Sequence, residues 1–127
     1  MTHLLDSDVL IWIFRGNSKV VKRVESLASG KPQAVSVLSV AEIYKNLFPS
    51  EVVLIEEFFS ASTLLAVDPE IAKLGGLFWR DYHKVFASLS LIDCLIAATA
   101  KIHEFKLVTC NIRHFPMLKK ADLINPL

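Results

Sequence analysis

From Leu89 to Ala100 the chain reads Leu-Ser-Leu-Ile-Asp-Cys-Leu-Ile-Ala-Ala-Thr-Ala, which as a helix is apolar on every side. A helix apolar all round is a buried one, so the fold must wrap other elements around it. Asp93 lies inside this stretch with no Lys or Arg one turn away in either direction. An ionised carboxylate in such surroundings needs a partner brought from elsewhere in the chain, or a metal. A buried pair with Arg80, His83 or Lys84 is the structural alternative, and such pairs rarely justify themselves on stability alone.

Two further acids follow apolar, strand-like runs: Asp6 after His3-Leu4-Leu5, and Glu42 after the run from Ala34 to Leu38. The pattern predicts strands at 3–6, 34–38, 63–67, 106–109 and near 122–124. Between them it predicts helices at 8–15, 18–28, 40–47, 51–60, 69–84 and 91–104. Gly75-Gly76 makes a break or kink in the long fifth helix an expectation. Strands alternating with helices point to an α/β fold, a mostly parallel central sheet with helices on both faces. In such sheets ligands bind beyond the carboxyl ends of the strands. Three carboxylates gathered there repel one another unless something positive lies between them, and the simplest such thing is a divalent cation.

At 127 residues the chain is the size of one domain. It is 53% hydrophobic with a mean hydropathy of +0.44. Its apolar runs are short, Val9 to Phe14 being six residues, against the roughly 18 that a membrane span needs. No membrane segment and no signal peptide are expected, and the location expected is cytoplasmic. Cys94 and Cys110 form no CxxC and fit structural thiols of a reducing compartment. A net charge of +1 says nothing by itself, but general nucleic-acid binders are usually more basic, so any RNA contact rests on a local patch. The candidates are Arg15, Lys19, Lys22, Arg23, Lys45, Arg113, Lys119 and Lys120, most of which taken singly read as a solvated face; Arg15, Lys45 and Arg113 are the RNA-binding residues expected.

Each motif has a dull explanation. In Asp6-Ser7-Asp8, Ser7 reads as a helix N-cap and Asp8 as a first-turn acid facing the helix dipole, which leaves Asp6 unexplained. Ser39-Val40-Ala41-Glu42 reads as a capping box, and Glu42 has Lys45 as an i,i+3 partner. Thr109-Cys110-Asn111 is ordinary turn chemistry. His114 by itself reads as a surface histidine, and His3 and His103 share no zinc spacing with it.

Taken together, four segments resemble the PIN-domain family, and within it the VapC-type toxins of bacterial toxin–antitoxin pairs. They are Leu4 to Ile11, Ser36 to Ile43, Asp93 to Ala100 and Leu107 to Phe115. The likeness covers nearly the whole chain, so 1–127 reads as one PIN-like nuclease domain. Asp93-x-Leu-Ile-Ala-Ala-Thr-Ala and Thr109-x-Asn111 are its most specific parts.

The resemblance implies a ribonuclease whose Mg²⁺ or Mn²⁺ is held by Asp6, Glu42 and Asp93, with Asp8, Thr109 and Asn111 supporting. It also implies an RNA substrate and a cognate antitoxin. The family often carries another acid just before the position of Phe115, where this chain has His114, and Asn111 is neutral. One ion held well and a second poorly is the expectation. Metal chemistry agrees with these acids: Mg²⁺ takes oxygen ligands and activates water for attack on phosphate.

Two other functions compete. One is a PIN-like module that binds RNA or protein without cutting, given the missing acid. Asp6-Ser7-Asp8-Val9 also approaches the opening of haloacid-dehalogenase-like phosphatases, whose later acidic pair is missing after Asp68. Finally, Trp12, Phe14, Phe58, Phe59, Phe78 and Trp79 look like more aromatic surface than one core hides. The expectation is a homodimer with a separate groove for an amphipathic antitoxin segment, helices 51–60 and 69–84 supplying the surfaces.

Overall fold

Successive strand residues point to opposite sides of a sheet, and Leu4 and Leu5 do so with both side chains fully buried, one in each of two hydrophobic cores. The computed structural model describes residues 2–127. Its centre is β1 (His3–Leu5), β2 (Ala34–Ser36), β3 (Thr63–Leu65), β4 (Lys106–Val108) and β5 (Leu123–Ile124). All are parallel, in the order β3-β2-β1-β4-β5. Around them lie α1 (Ser7–Phe14), α2 (Ser18–Ala28), α3 (Val37–Lys45), α4 (Val52–Ser60), α5 (Pro69–Tyr82) and α6 (Leu91–His103).

Leu5, Val35 and Val108 face a core completed by Val9 and Leu10 of α1, Val20 and Val24 of α2, Ile43 of α3, and Ile55 and Phe59 of α4. Leu4, Ala34 and Leu107 face the other way, onto Ile96, Ala97 and Ala100 of α6 and onto Phe115. This is the three-layer α/β arrangement read from the sequence. Each fully buried leucine contributes on the order of 2 kcal/mol of transfer free energy.

Several local expectations need correction. Asp6, not Ser7, caps α1. Ser36, not Ser39, caps α3 by accepting from the Leu38 amide at 3.1 Å, so the second strand stops at 36 and the helix starts three residues early. No capping box involves Glu42. The long fifth helix is continuous through Gly75-Gly76, because Gly75 lies directly against Leu95 and permits α5 and α6 to touch there.

The apolar helix α6 is buried from Cys94 to Ala100 apart from Leu95, whereas Leu91 is 52% exposed and Ile92 and Asp93 are half-buried. Its first turn projects from the core. The aromatic surplus is also smaller than expected. Phe59 is buried, and Phe14 and Phe58 pack edge-on around it. Of the six aromatics named, only Trp79 is exposed; the greasy surface is mostly aliphatic, with Val53, Leu54, Leu77 and Val85 prominent.

Candidate active site

Strand register fixes the first half of the site. β1 lies between β2 and β4, with Leu5 opposite Val35 on one side and Val108 on the other. The chain runs outward from β1 to β2 to β3, then crosses over to β4, so the connections diverge at β1. A crevice opens at such a switch point, beyond the strand ends. One residue past the strands, Asp6 and Thr109 meet: the Thr109 hydroxyl donates to Asp6 Oδ2 at 2.9 Å. The other oxygen of Asp6 accepts from the Ser7 amide at 2.8 Å.

Asp6 is only 6% exposed. Burial first, then the charge of Asp8, pushes its carboxyl up to about 8. Asp8, in the first turn of α1, is raised as well, chiefly by burial. The turn after β4 is devoted to it. Cys110 offers its backbone N–H at 3.2 Å and Asn111 its side-chain amide at 2.9 Å, both to Asp8 Oδ2. The Asn111 backbone N–H donates to Thr109 Oγ1 at 3.0 Å, orienting that hydroxyl toward Asp6. Thr109 and Asn111 are therefore turn residues and also the direct partners of both acids.

Glu42 reaches the same cleft from α3. It accepts from the Ser7 hydroxyl at 2.6 Å, and Ser39 Oγ lies 3.0 Å from that hydroxyl. The pairing with Lys45 does not form. Asp93 enters from the first turn of α6, where its backbone N–H donates to the Ser90 hydroxyl at 3.0 Å. Burial raises its carboxyl, the charges of Glu42 and Asp8 raise it further, and Ser90 and His114 pull it down. The basic side chain beside it is His114, with Nδ1 3.5 Å from Asp93 Oδ2, and not Arg80, His83 or Lys84.

The cationic candidates flank this cleft unequally. Arg15 lines a cavity of about 420 Å³ that reaches Glu42 and is walled by α1, α3 and the turn into α4. Arg113 lines a second cavity of about 430 Å³ on the Asn111 and His114 side. Lys45 is exposed at the end of α3 and lines neither.

The chain matches the family model described as PIN domain over residues 3–121. It belongs to the PIN-domain family. Relatives include the Mycobacterium tuberculosis proteins named Ribonuclease VapC19 and Ribonuclease VapC10. The first is 35% identical over 115 residues, covering 90% of this chain and 92% of that one. The second is 32% identical over 117 residues, covering 92% and 88%. Among solved structures, the DNA-bound VapBC from Salmonella typhimurium superposes with a TM-score of 0.82 at 20% identity, covering 100% of this chain and 99% of that one. FitAcB from Neisseria gonorrhoeae gives 0.75 at 25% identity, covering 98% and 97%.

PIN-domain ribonucleases depend on a metal, and the donor set of this PIN domain suits one in kind. Its carboxylates are hard oxygen donors, and those of Asp6, Asp8 and Asp93 are held above their ordinary pKa chiefly by burial, which is what a divalent cation would relieve. Among the described residues, no three acidic, His or Cys side chains already converge closely enough to enclose an ion. The carboxylates of Asp6, Asp8 and Glu42 instead each accept from protein donors, and that of Asp93 has His114 Nδ1 3.5 Å away.

Three hydroxyls in this PIN domain escaped the sequence reading as part of the site: Ser7, Ser39 and Ser90. Ser90 had a local signal, since Ser-x-x-Asp ahead of an apolar run is a capping pattern. Ser7 and Ser39 meet across the cleft from elements 32 residues apart, which no local pattern announces. Both thiols are free and pushed up to about 11, first by burial and then by the neighbouring acids, so they are no nucleophiles.

Proposed function

We propose that this chain is a metal-dependent endoribonuclease, the toxin of a toxin–antitoxin pair, with Asp6, Glu42 and Asp93 as its essential acids. The observation that carries this reading is that Asp6, Asp8, Glu42 and Asp93 border one cleft at the switch point of a PIN fold, near enough for Asp93 to feel the charges of Glu42 and Asp8. The ribonuclease names of relatives at 32–35% identity support it. A divalent ion held by these acids, Mg²⁺ or Mn²⁺, would offset charge on the scissile phosphate and make water a nucleophile near neutral pH. Asp8, Thr109 and Asn111 keep the acids in place by hydrogen bonding. Arg15 and Arg113 supply the positive charge that an RNA backbone needs on either side of a negative cleft.

The partner expected is an antitoxin, in line with structures such as the one titled a toxin–antitoxin complex from Klebsiella pneumoniae. The groove walled by Ile11, Phe14, Leu47, Phe48 and Ile55 suits the apolar face of an amphipathic segment, which would also cover Glu42. We place the activity in the cytoplasm, with its RNA; the free thiols agree with that compartment. Family membership leaves the phosphatase alternative without support. His114 in place of an acid is the feature that favours the other alternative, a module that binds RNA without cutting.

Asp93→Asn decides between cutting and mere binding. It keeps the shape of the side chain and removes its charge. Cleavage of RNA in Mg²⁺ or Mn²⁺ should fall on the order of 100-fold or more, because several kcal/mol of charge stabilisation depend on that acid. Metal-free stability should be equal or higher. Wild-type cleavage by a folded Asp93→Asn protein rules out the assignment, and no cleavage of any RNA by the parent chain leaves the binding module.

A further inference from the structure

Two concavities of nearly equal size flank the acid cleft, and their walls differ in charge. The apolar groove on the Glu42 side carries Glu42 and Glu51 against the single cation Arg15. The cavity of about 430 Å³ on the other side is lined by Phe86, Cys110, Asn111, Arg113, His114 and Asn125, with no carboxylate in its wall. A polynucleotide brings a negative charge with every phosphate, so the second cavity is the side on which it can lie close.

The chemistry of that wall matches an unpaired base. Phe86 and His114 brace each other edge to face, with ring centroids 5.4 Å apart and planes at 60°, and form an aromatic corner. Asn125 Oδ1 accepts from the Leu127 amide at 3.0 Å, which fixes the side chain and leaves its NH₂ free to donate. Asn111 is oriented the opposite way: its NH₂ is committed to Asp8, so its carbonyl oxygen is left to accept. One aromatic corner, one amide donor, one amide acceptor and a guanidinium answer the face, edge and phosphate of a nucleotide.

We propose that this cavity receives the nucleobase adjoining the scissile phosphate, stacked on Phe86 and held by the amides of Asn111 and Asn125, with Arg113 on a neighbouring phosphate. The assignment rests on the ribonuclease reading above. Phe86 and Asn125 are then residues that set substrate preference, and neither lies among the acids of the reaction.

The test uses short single-stranded RNA of mixed sequence, its cleavage position mapped with the wild-type chain, and affinity measured in EDTA so that nothing is cut. Phe86→Ala should weaken binding roughly ten-fold, the usual size of a lost base–aromatic stack. Phe86→Tyr should restore it, and Asn125→Ala, an exposed position, should weaken binding without disturbing the fold. RNA made abasic at one position at a time should lose the same factor on the wild-type chain at a single position next to the cut. On Phe86→Ala that abasic RNA should lose nothing more. Unchanged affinity in Phe86→Ala and Asn125→Ala, or additive losses at every abasic position, overturns the base cavity while leaving ribonuclease activity standing. Absence of both cleavage and RNA binding in the wild-type chain overturns the ribonuclease reading and the cavity with it.

Discussion

Asp6 titrates in a direction that makes the site a cost to the metal-free fold. Its carboxyl is raised from an unfolded value near 4 to about 8, mainly by burial. Between those two values the folded chain holds a proton that the unfolded chain has released. Stability therefore falls as pH rises from about 4 to about 8. Thermal unfolding in EDTA should show a melting temperature that drops across this window, and Asp6→Asn should flatten the drop. Added Mg²⁺ or Mn²⁺ should raise the melting temperature more at pH 8 than at pH 5, because protons compete for the ligands. An equal rise at both pH values argues against carboxylate ligation. At the last motif, His114→Asp adds an oxygen donor 3.5 Å or so from Asp93, judged by the present ring position. It should lower the metal concentration needed for half-maximal cleavage, and a calorimetric titration should gain a second binding event. No change in cleavage, with two tight ions already bound by the parent chain, means that another acid, such as Asp8, completes the site.

At the level of elements, the contact between α5 and α6 gives a paired prediction. A Cβ on Gly75 would meet Leu95 Cδ2 at 2.5 Å and Leu95 Cα at 3.1 Å, whereas one on Gly76 meets nothing within 4 Å. Gly75→Ala should lose about 1–2 kcal/mol through overpacking that exceeds the helix-propensity gain. Gly76→Ala should gain up to about 1 kcal/mol. Denaturant unfolding distinguishes them, and equal effects would mean that the helices are free to move apart. The same pair shows what the chain did not disclose. Gly-Gly read locally is a helix breaker, and only the face of α6 opposite makes Gly75 a requirement. Strands and helices were legible because burial imposes periods of two and 3.6 on the sequence. Caps were misplaced at Ser7 and Ser39 because Ser, Asp and Thr stand close together, and geometry selects among them. His114 as the neighbour of Asp93 was not legible, since the two come from separate elements.

For the molecule as a whole, the exposed apolar side chains that bear on self-association lie on α4 and α5. Val53 and Leu54 on α4 are 69% and 50% exposed, and Leu77 and Trp79 on α5 are 44% and 40% exposed. These are the two helices from which self-association was expected. The chain should run as a dimer in light scattering at high micromolar concentration, and Leu77→Glu with Trp79→Glu should yield monomers with unchanged helical content. A parent chain already monomeric at that concentration removes the dimer.

The hydrogen bond from Thr109 to Asp6 joins positions 103 apart in sequence. On the ribosome, Asp6, Asp8 and Glu42 emerge early, when β1 has β2 as its only possible sheet neighbour on the switch-point side. Glu42 has its partner Ser7 from the start, but those of Asp6 and Asp8, Thr109 and Asn111, arrive only with the turn after β4, and Asp93 only with α6. A nascent chain thus carries its negative residues for most of its synthesis without the strand that gathers them. Activity cannot begin on a partly made chain, and a toxin built this way comes into being only when nearly all of it has been translated.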